Sequence, residues 1–154
     1  MAALQLISFG ALTVRLPDTE DKIAFMVLLK EGERFSLTYR HSVEKTLVKG
    51  VFQVSGQDAM RAVETRMTSV GTGLPNTFPS RTRREGKWMV VDEKNRFLPP
   101  FRFFIQPINQ TVLAARDIKF DLTALPAGTV VRIGVENLAL HRVIIHQVMT
   151  YLKR

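Results

Sequence analysis

Short segments in which apolar and polar residues alternate follow one another along most of the chain. In the clearest of them, residues 34–42, one side carries Phe35, Leu37, Tyr39 and His41. A period of two residues places successive side chains on opposite faces of a β-strand. This segment is therefore predicted to be a half-buried strand, with His41 packed at the end of its apolar face.

Similar segments recur at fairly regular spacing and are separated by turn residues. Those predicted to be strands are 4–16, 23–30, 34–42, 48–54, 60–70, 88–92, 101–108, 112–115, 118–122 and 129–136. Regularly spaced short strands with turn signals are typical of sandwiches and barrels. We expect one all-β domain over residues 1–154. Its predicted architecture is a two-sheet antiparallel β-sandwich, or a flattened barrel, of about nine or ten short strands.

Two segments depart from this pattern. Residues 71–87 contain three glycines, two prolines and several arginines, so we predict a long loop there. In the C-terminal segment, Leu140, Ile144 and Val148 have helical spacing, whereas the β-branched run 143–145 favours a strand. The segment is ambiguous, and we favour a strand.

Composition excludes several classes of protein. With 45% hydrophobic residues in 154, the chain is not intrinsically disordered. Its longest apolar run, residues 23–29, is far shorter than the roughly 20 residues of a membrane-spanning helix. The chain has no cysteine, which excludes disulfides, thiolate nucleophiles and thiolate metal sites.

The net charge of +8 is concentrated in the second half, since residues 78–154 carry thirteen basic and six acidic groups. A local basic cluster precedes Trp88 and consists of Arg81, Arg83, Arg84 and Lys87. Such a cluster can contact phosphate groups or an anionic lipid surface. We favour a solvated loop with Trp88 turned inward. Nucleic-acid binding is not expected, because no RNA-binding aromatic signature or helix-turn-helix is present.

No catalytic constellation is visible. His41 and Ser42 are adjacent on a strand, so their side chains point to opposite faces and cannot form a dyad. His141 and His146 lie five residues apart, a poor spacing for metal ligands. Phosphate-binding glycine loops and hydrolase elbows are absent. We therefore expect no enzymatic activity, no metal and no cofactor.

Several short sequence motifs occur together in a characteristic order. They are Tyr39-Arg40-His41-Ser42-Val43-Glu44, Val51-Phe52, Glu64-Thr65-Arg66 and Gly71-Thr72-Gly73-Leu74-Pro75. In this order and spacing the chain resembles the bacterial family called domain of unknown function 1850. One departure is that Lys49-Gly50 precede the Val51-Phe52 pair, where family members often carry an acidic residue.

The resemblance implies a periplasmic or other cell-envelope protein. Family members are often encoded beside tripartite transporters of the TRAP type with TAXI-type binding proteins, which implies an accessory role and a transporter subunit or its binding protein as partner. Residues 1–10 carry no export signal. A cytoplasmic location therefore stays an alternative, as does a Met1 that is not the native start.

The motif residues allow two interpretations. In the first they define the fold: Tyr39 and His41 form a buried polar pair, Arg40 pairs with Glu44 or Glu64, and the Gly71–Pro75 loop inserts Leu74 into the core. In the second they bind a small ligand, an anion or organic acid, through His41, Ser42 and that loop. We therefore expect a non-enzymatic envelope module that contacts a transporter, with a ligand-binding domain as the alternative.

Overall fold

A computed structural model describes residues 8–56, 58–69 and 81–151. Along these residues lie β1 (Ser8–Leu16), β2 (Lys22–Leu28), β3 (Arg34–Arg40), β4 (Leu47–Val54), β5 (Met60–Met67), β6 (Thr82–Glu85), β7 (Trp88–Leu98), β8 (Phe101–Phe104), β9 (Val112–Ala115), β10 (Ile118–Asp121), β11 (Val130–Ala139) and α1 (Leu140–Tyr151). Two short 3-10 helices, Pro107–Asn109 and Leu122–Ala124, flank β9 and β10.

The strands form two antiparallel sheets, as the sequence predicted. The smaller sheet has the order β2-β1-β11-β8, and the larger has the order β10-β9-β3-β4-β5-β7-β6. Their facing side chains make one core, to which Leu12 and Ile133 contribute from the smaller sheet and Phe35 and Leu113 from the larger. Burying one face of each sheet is what the alternating pattern demands.

The prediction for the arginine-rich segment is wrong in part. Residues 82–85 are not loop but β6, which pairs with β7 at the edge of the larger sheet. This strand is the reason that the described residues hold eleven strands instead of nine or ten. A four-residue strand of Thr, Arg and Glu carries no apolar alternation, so only its pairing with β7 identifies it.

The strand predicted over residues 88–92 is longer than expected, because residues 93–98 continue it in β7. Here Lys94 and Asn95 have φ angles of 55° and 51°, and the pairing of β5 with β7 shifts register. Positive φ at Asn is tolerated, so a bulge accommodates these polar residues without ending the strand.

The C-terminal strand prediction is also wrong, because residues 140–151 form α1. The helix lies on the outer face of the smaller sheet, where Val143 packs against Ala11 and Leu138 in a small second core. Tertiary packing of this kind outweighs the weak strand preference of the β-branched residues. No helix in the described part of the chain has the length and apolar character needed to cross a membrane.

An ion network ties the first strand to the last on that outer face. Arg15, only 7% exposed, donates from Nε and Nη2 to the two carboxylate oxygens of Glu136 at 2.7 and 2.8 Å. Thr13 Oγ1 also donates to Glu136. Burial opposes ionisation of Glu136, but these hydrogen bonds outweigh it and lower its pKa.

Candidate functional site

His41 lies one residue beyond the end of β3, in a tight turn that leads to β4. Its backbone N–H donates to Thr46 O at 2.8 Å, and its carbonyl accepts from Lys45 N–H at 3.0 Å. The side chain takes part as well, because Glu44 N–H donates to His41 Nδ1 at 3.3 Å. His41 is thus half-buried and local to a turn, and the prediction that it packs in the core is wrong.

Tyr39 precedes this turn on the inward face of β3. Its ring packs edge-on against Phe103 of β8, with ring centroids 5.3 Å apart. Burial raises the pKa of the Tyr39 hydroxyl, so the phenol stays protonated at neutral pH and can donate a hydrogen bond. Tyr39 and Phe103 therefore join the two sheets at this end of the sandwich.

A pocket of about 500 Å³ opens where the C-terminal ends of β3 and β8 meet. We call it the His41 pocket; it is lined by Tyr39, His41, Ser42, Phe103, Phe104, Gln106, Ile108 and Asn109. Its walls are aromatic and aliphatic, and its polar groups come from both sides. Apolar walls with a few convergent polar groups are what small-molecule sites have in common.

One residue that lines this pocket, Asn109, carries a buried polar atom without a partner. Asn109 Oδ1, Thr46 Oγ1 and Thr111 Oγ1 are buried with no hydrogen-bond partner among the described residues, and Arg61 Nε is the remaining atom of this kind. Thr46 belongs to the His41 turn, and Thr111 follows Asn109 by two residues. Buried polar atoms without partners are uncommon and often mark functional sites.

The hydrogen bond that His41 Nδ1 accepts limits the chemistry of the pocket. Because Nδ1 accepts a hydrogen bond, the neutral ring carries its proton on Nε2, which makes Nε2 a donor and not a base. No carboxylate lines the pocket among the described residues. The arrangement can donate hydrogen bonds to an anion.

The comparisons with known proteins give one match. The sequence model of the family "Domain of unknown function (DUF1850)" matches residues 35–122, more than half of the 154 residues. The chain belongs to the DUF1850 family. Every residue that lines the His41 pocket lies inside the DUF1850 segment. Neither the curated proteins nor the solved structures include a match.

Within the DUF1850 segment, Arg40 does not pair with Glu44 or Glu64 as predicted. Its Nη1 donates to Lys45 O at 2.9 Å, and its Nε donates to Gln110 Oε1 at 3.4 Å. Arg40 thus links the His41 turn to the segment that carries Asn109. It lies on the face of β3 opposite Tyr39 and supports the pocket from outside.

Glu64 is not part of this site. It is 9% exposed and lies in β5, where Arg66 binds it at 2.6 Å and Arg83 of β6 binds it at 2.9 Å. Burial opposes ionisation of Glu64, but the two arginines outweigh it and lower its pKa. The carboxylate therefore holds the edge strand β6 onto the larger sheet.

The basic cluster is divided by this arrangement. Arg83 is committed to Glu64 and to Glu85, the latter at 2.7 Å, whereas Arg84 and Lys87 are exposed in the β6–β7 hairpin. Lys87 Nζ lies 5.7 Å from the ring centre of Trp88, which is half-buried. Arg81 is half-buried just before β6. Of the four residues predicted to contact an anionic surface, Arg83 is thus already bound to carboxylates, whereas Arg84 and Lys87 are exposed.

Gly71, Gly73, Leu74 and Pro75 lie outside the described residues, so their predicted part in a site stays a prediction. The described residues contain no group of three or more His, Asp or Glu side chains placed to hold a metal ion.

Sequence reasoning missed the half of the pocket that β8 and the 3-10 helix contribute. Phe103, Phe104 and Asn109 are more than 60 residues from His41 in the chain, and nothing local connects them. The one signal in the sequence is Phe101-Arg102-Phe103-Phe104, whose aromatic density exceeds what one buried face of a four-residue strand needs.

Proposed function

We propose that this DUF1850 protein is a non-enzymatic binding module that holds a small organic acid in the His41 pocket. The observation that carries the proposal is that the polar residues Tyr39, His41, Ser42 and Asn109 line one cavity whose remaining walls are mainly apolar. A carboxylate accepts hydrogen bonds from the Tyr39 hydroxyl, the Ser42 hydroxyl and His41 Nε2–H.

The same geometry favours acids that also carry a hydroxyl or ammonium group. Asn109 Oδ1 is buried, so this contact requires the Asn109 side chain to turn towards the cavity; a ligand donor that then pairs with it removes the cost of leaving that oxygen unpaired. The aromatic rings of Phe103 and Phe104 pack against the carbon skeleton of such a ligand. Hydroxy acids and amino acids should therefore bind more tightly than simple carboxylates of equal size.

A thermal-shift screen of the purified chain tests this, with lactate, malate and glutamate set against acetate and succinate. At about 100 times its Kd, a ligand should raise the melting temperature by about 5–10 °C. His41→Gln and Asn109→Leu should each abolish the shift in melting temperature. The control variant His141→Gln, which replaces a histidine on α1 outside the pocket, should leave the shift intact. A flat melting curve across the panel, or a shift that survives both pocket variants, contradicts the proposal.

Support for an accessory role beside a transporter comes from the family resemblance alone, and it is compatible with ligand binding. In cells, crosslinking followed by purification should recover the neighbouring TRAP-type transporter subunits or their binding protein. If repeated crosslinking recovers none of them, the accessory role fails while the pocket proposal stands on its own test.

A further inference from the structure

The outward side of α1 is an apolar surface that nothing in the described structure covers. Ile144, Ile145, Val148 and Met149 are exposed by 44%, 59%, 50% and 52%, and their spacing of one, three and one residues places them on one side of the helix. We call these four residues the α1 ridge. Contiguous exposed apolar side chains of this size indicate an interaction site.

Grooves on both sides of the helix extend this surface. One, of about 520 Å³, lies between α1 and the start of β2 and includes Lys22, Arg142 and Met149. The other, of about 750 Å³, lies between α1 and β10 and includes Ile118 and Lys119. Ile118 is itself 42% exposed, so the apolar surface continues from the helix onto the edge of the larger sheet.

The charged residues that line the two grooves have one sign. Lys22, Arg142 and Lys119 are exposed, and no described acidic residue lines either groove. Arg116 also lines the second groove, but its charge is neutralised by Glu33, which it binds at 2.6 Å. The surface thus has an apolar centre and a cationic rim.

The combination of an apolar centre and a cationic rim indicates which kind of partner this surface binds. A second copy of the chain would bring the three cations of each rim together, which is unfavourable. Protein hot spots are rich in Trp, Tyr and Arg, whereas the ridge contains none of these residues. A helix with one apolar side and basic flanks is the form that lies in the headgroup region of a bilayer.

We propose that the α1 ridge docks on the surface of an anionic phospholipid bilayer. The aliphatic side chains enter the boundary between headgroups and acyl chains, and Lys22, Arg142 and Lys119 contact the lipid phosphates. The proposal is independent of the His41 pocket, which lies at the ends of β3 and β8. It differs from the predicted contact through Arg81, Arg83, Arg84 and Lys87, because it places the membrane on α1.

Co-sedimentation with lipid vesicles tests it, using phosphatidylcholine with and without about 30 mol% phosphatidylglycerol. We expect binding at least about tenfold stronger to the anionic vesicles, and weaker binding at high salt. Ile145→Ser combined with Met149→Ser should reduce binding about tenfold. Because both residues are exposed, the melting temperature of this double variant should stay near that of the parent. If the double variant does not fold, Val148→Ser combined with Ile144→Ser provides a second test of the same surface.

A charge-matched comparison locates the contact. Lys22→Gln with Arg142→Gln should weaken binding to anionic vesicles, whereas Arg84→Gln with Lys87→Gln removes the same charge from the β6–β7 hairpin and should not. Equal effects of the two pairs would overturn the proposal in favour of diffuse electrostatic adhesion. Absence of vesicle binding would overturn it as well, and a dimer that the serine variants abolish would assign the ridge to a second copy.

Discussion

At the scale of single residues, His41 divides its two ring nitrogens between two tasks. Nδ1 closes the turn after β3 by accepting from Glu44 N–H, and Nε2 remains as the donor available to a ligand. The turn needs only an acceptor at the Nδ1 position, whereas the pocket needs the ring. These two roles can be separated by substitution.

His41→Ala should lower the free energy of unfolding by about 1 kcal/mol, because one turn-closing hydrogen bond is lost from a half-exposed position. His41→Asn places an acceptor near the same point and should lose less than half as much. Urea denaturation measures both changes. A loss above about 3 kcal/mol for alanine would show that the ring is a core residue after all.

The buried guanidinium of Arg15 is stabilised by the carboxylate of Glu136, which is its counter-ion. Glu136→Gln should destabilise the protein by about 2–3 kcal/mol, since it leaves the buried guanidinium with only the more distant carboxylate of Asp21, at 3.5 Å. Replacing both residues together, Arg15→Met with Glu136→Leu, should recover most of that loss. Equilibrium unfolding of the single and double variants decides; a double variant no better than the single one contradicts the account.

At the scale of elements, the sequence predicts every strand whose inner face is regularly apolar, and its errors have identifiable causes. In α1, Val143, Ile144 and Ile145 favour a strand by intrinsic preference, but only Val143 finds a core position, and the helix is what places it on Ala11. The strand β6 has no apolar side chain to reveal it. Its stability comes from backbone pairing with β7 and from Arg83 binding to Glu64.

The candidate site was predictable only by half, for a related reason. Tyr39, His41 and Ser42 are adjacent in the chain, so their grouping is visible in the sequence. Their approach to Asn109 requires the smaller sheet to lie over the larger one, and alternation along a strand says which face is buried but not which strand lies opposite. The packing of Tyr39 on Phe103 provides that information.

Because α1 has only twelve residues, it should depend on Val143 for its existence. Val143→Ser is expected to lose most of the helical circular dichroism at 222 nm and the amide protection of residues 140–151, while the sandwich still unfolds cooperatively. Ile144→Ser, on the exposed side, is the matched control and should retain both signals. Helical signal unchanged in the Val143 variant would show that α1 does not need its docking contact.

At the scale of the whole molecule, the charged networks make stability depend on pH in a defined direction. The Arg116 guanidinium and the Lys30 N–H lower the pKa of Glu33 to about 2, and the pKa values of Glu64 and Glu136 are lowered as well. A carboxyl group whose folded pKa is depressed stabilises the fold above its unfolded pKa, about 4.3 for Glu. That contribution is lost as pH falls through the folded pKa.

The melting temperature should therefore be roughly constant near neutral pH and fall progressively below about pH 4.5. Glu33→Gln isolates one contributor. Its difference in melting temperature from the parent should be present at pH 6 and become small near pH 2, where about half of the Glu33 side chains of the parent are protonated. A difference that stays constant over this range would mean that Glu33 does not act through its charge.

The pairing of β1 with β11 has a consequence for the order in which the chain acquires its structure. Ser8 lies opposite Ala139, so β1 pairs with the strand that is synthesised last among the described strands, whereas β3, β4 and β5 follow one another as neighbours. Contacts between distant residues form slowly because a long loop must close first. During translation the larger sheet should therefore form before β11 completes the smaller sheet that buries its inner face.

A chain truncated after Gly128 should consequently bind a hydrophobic dye strongly. Weak dye binding by that fragment would show that the core can be buried without β11.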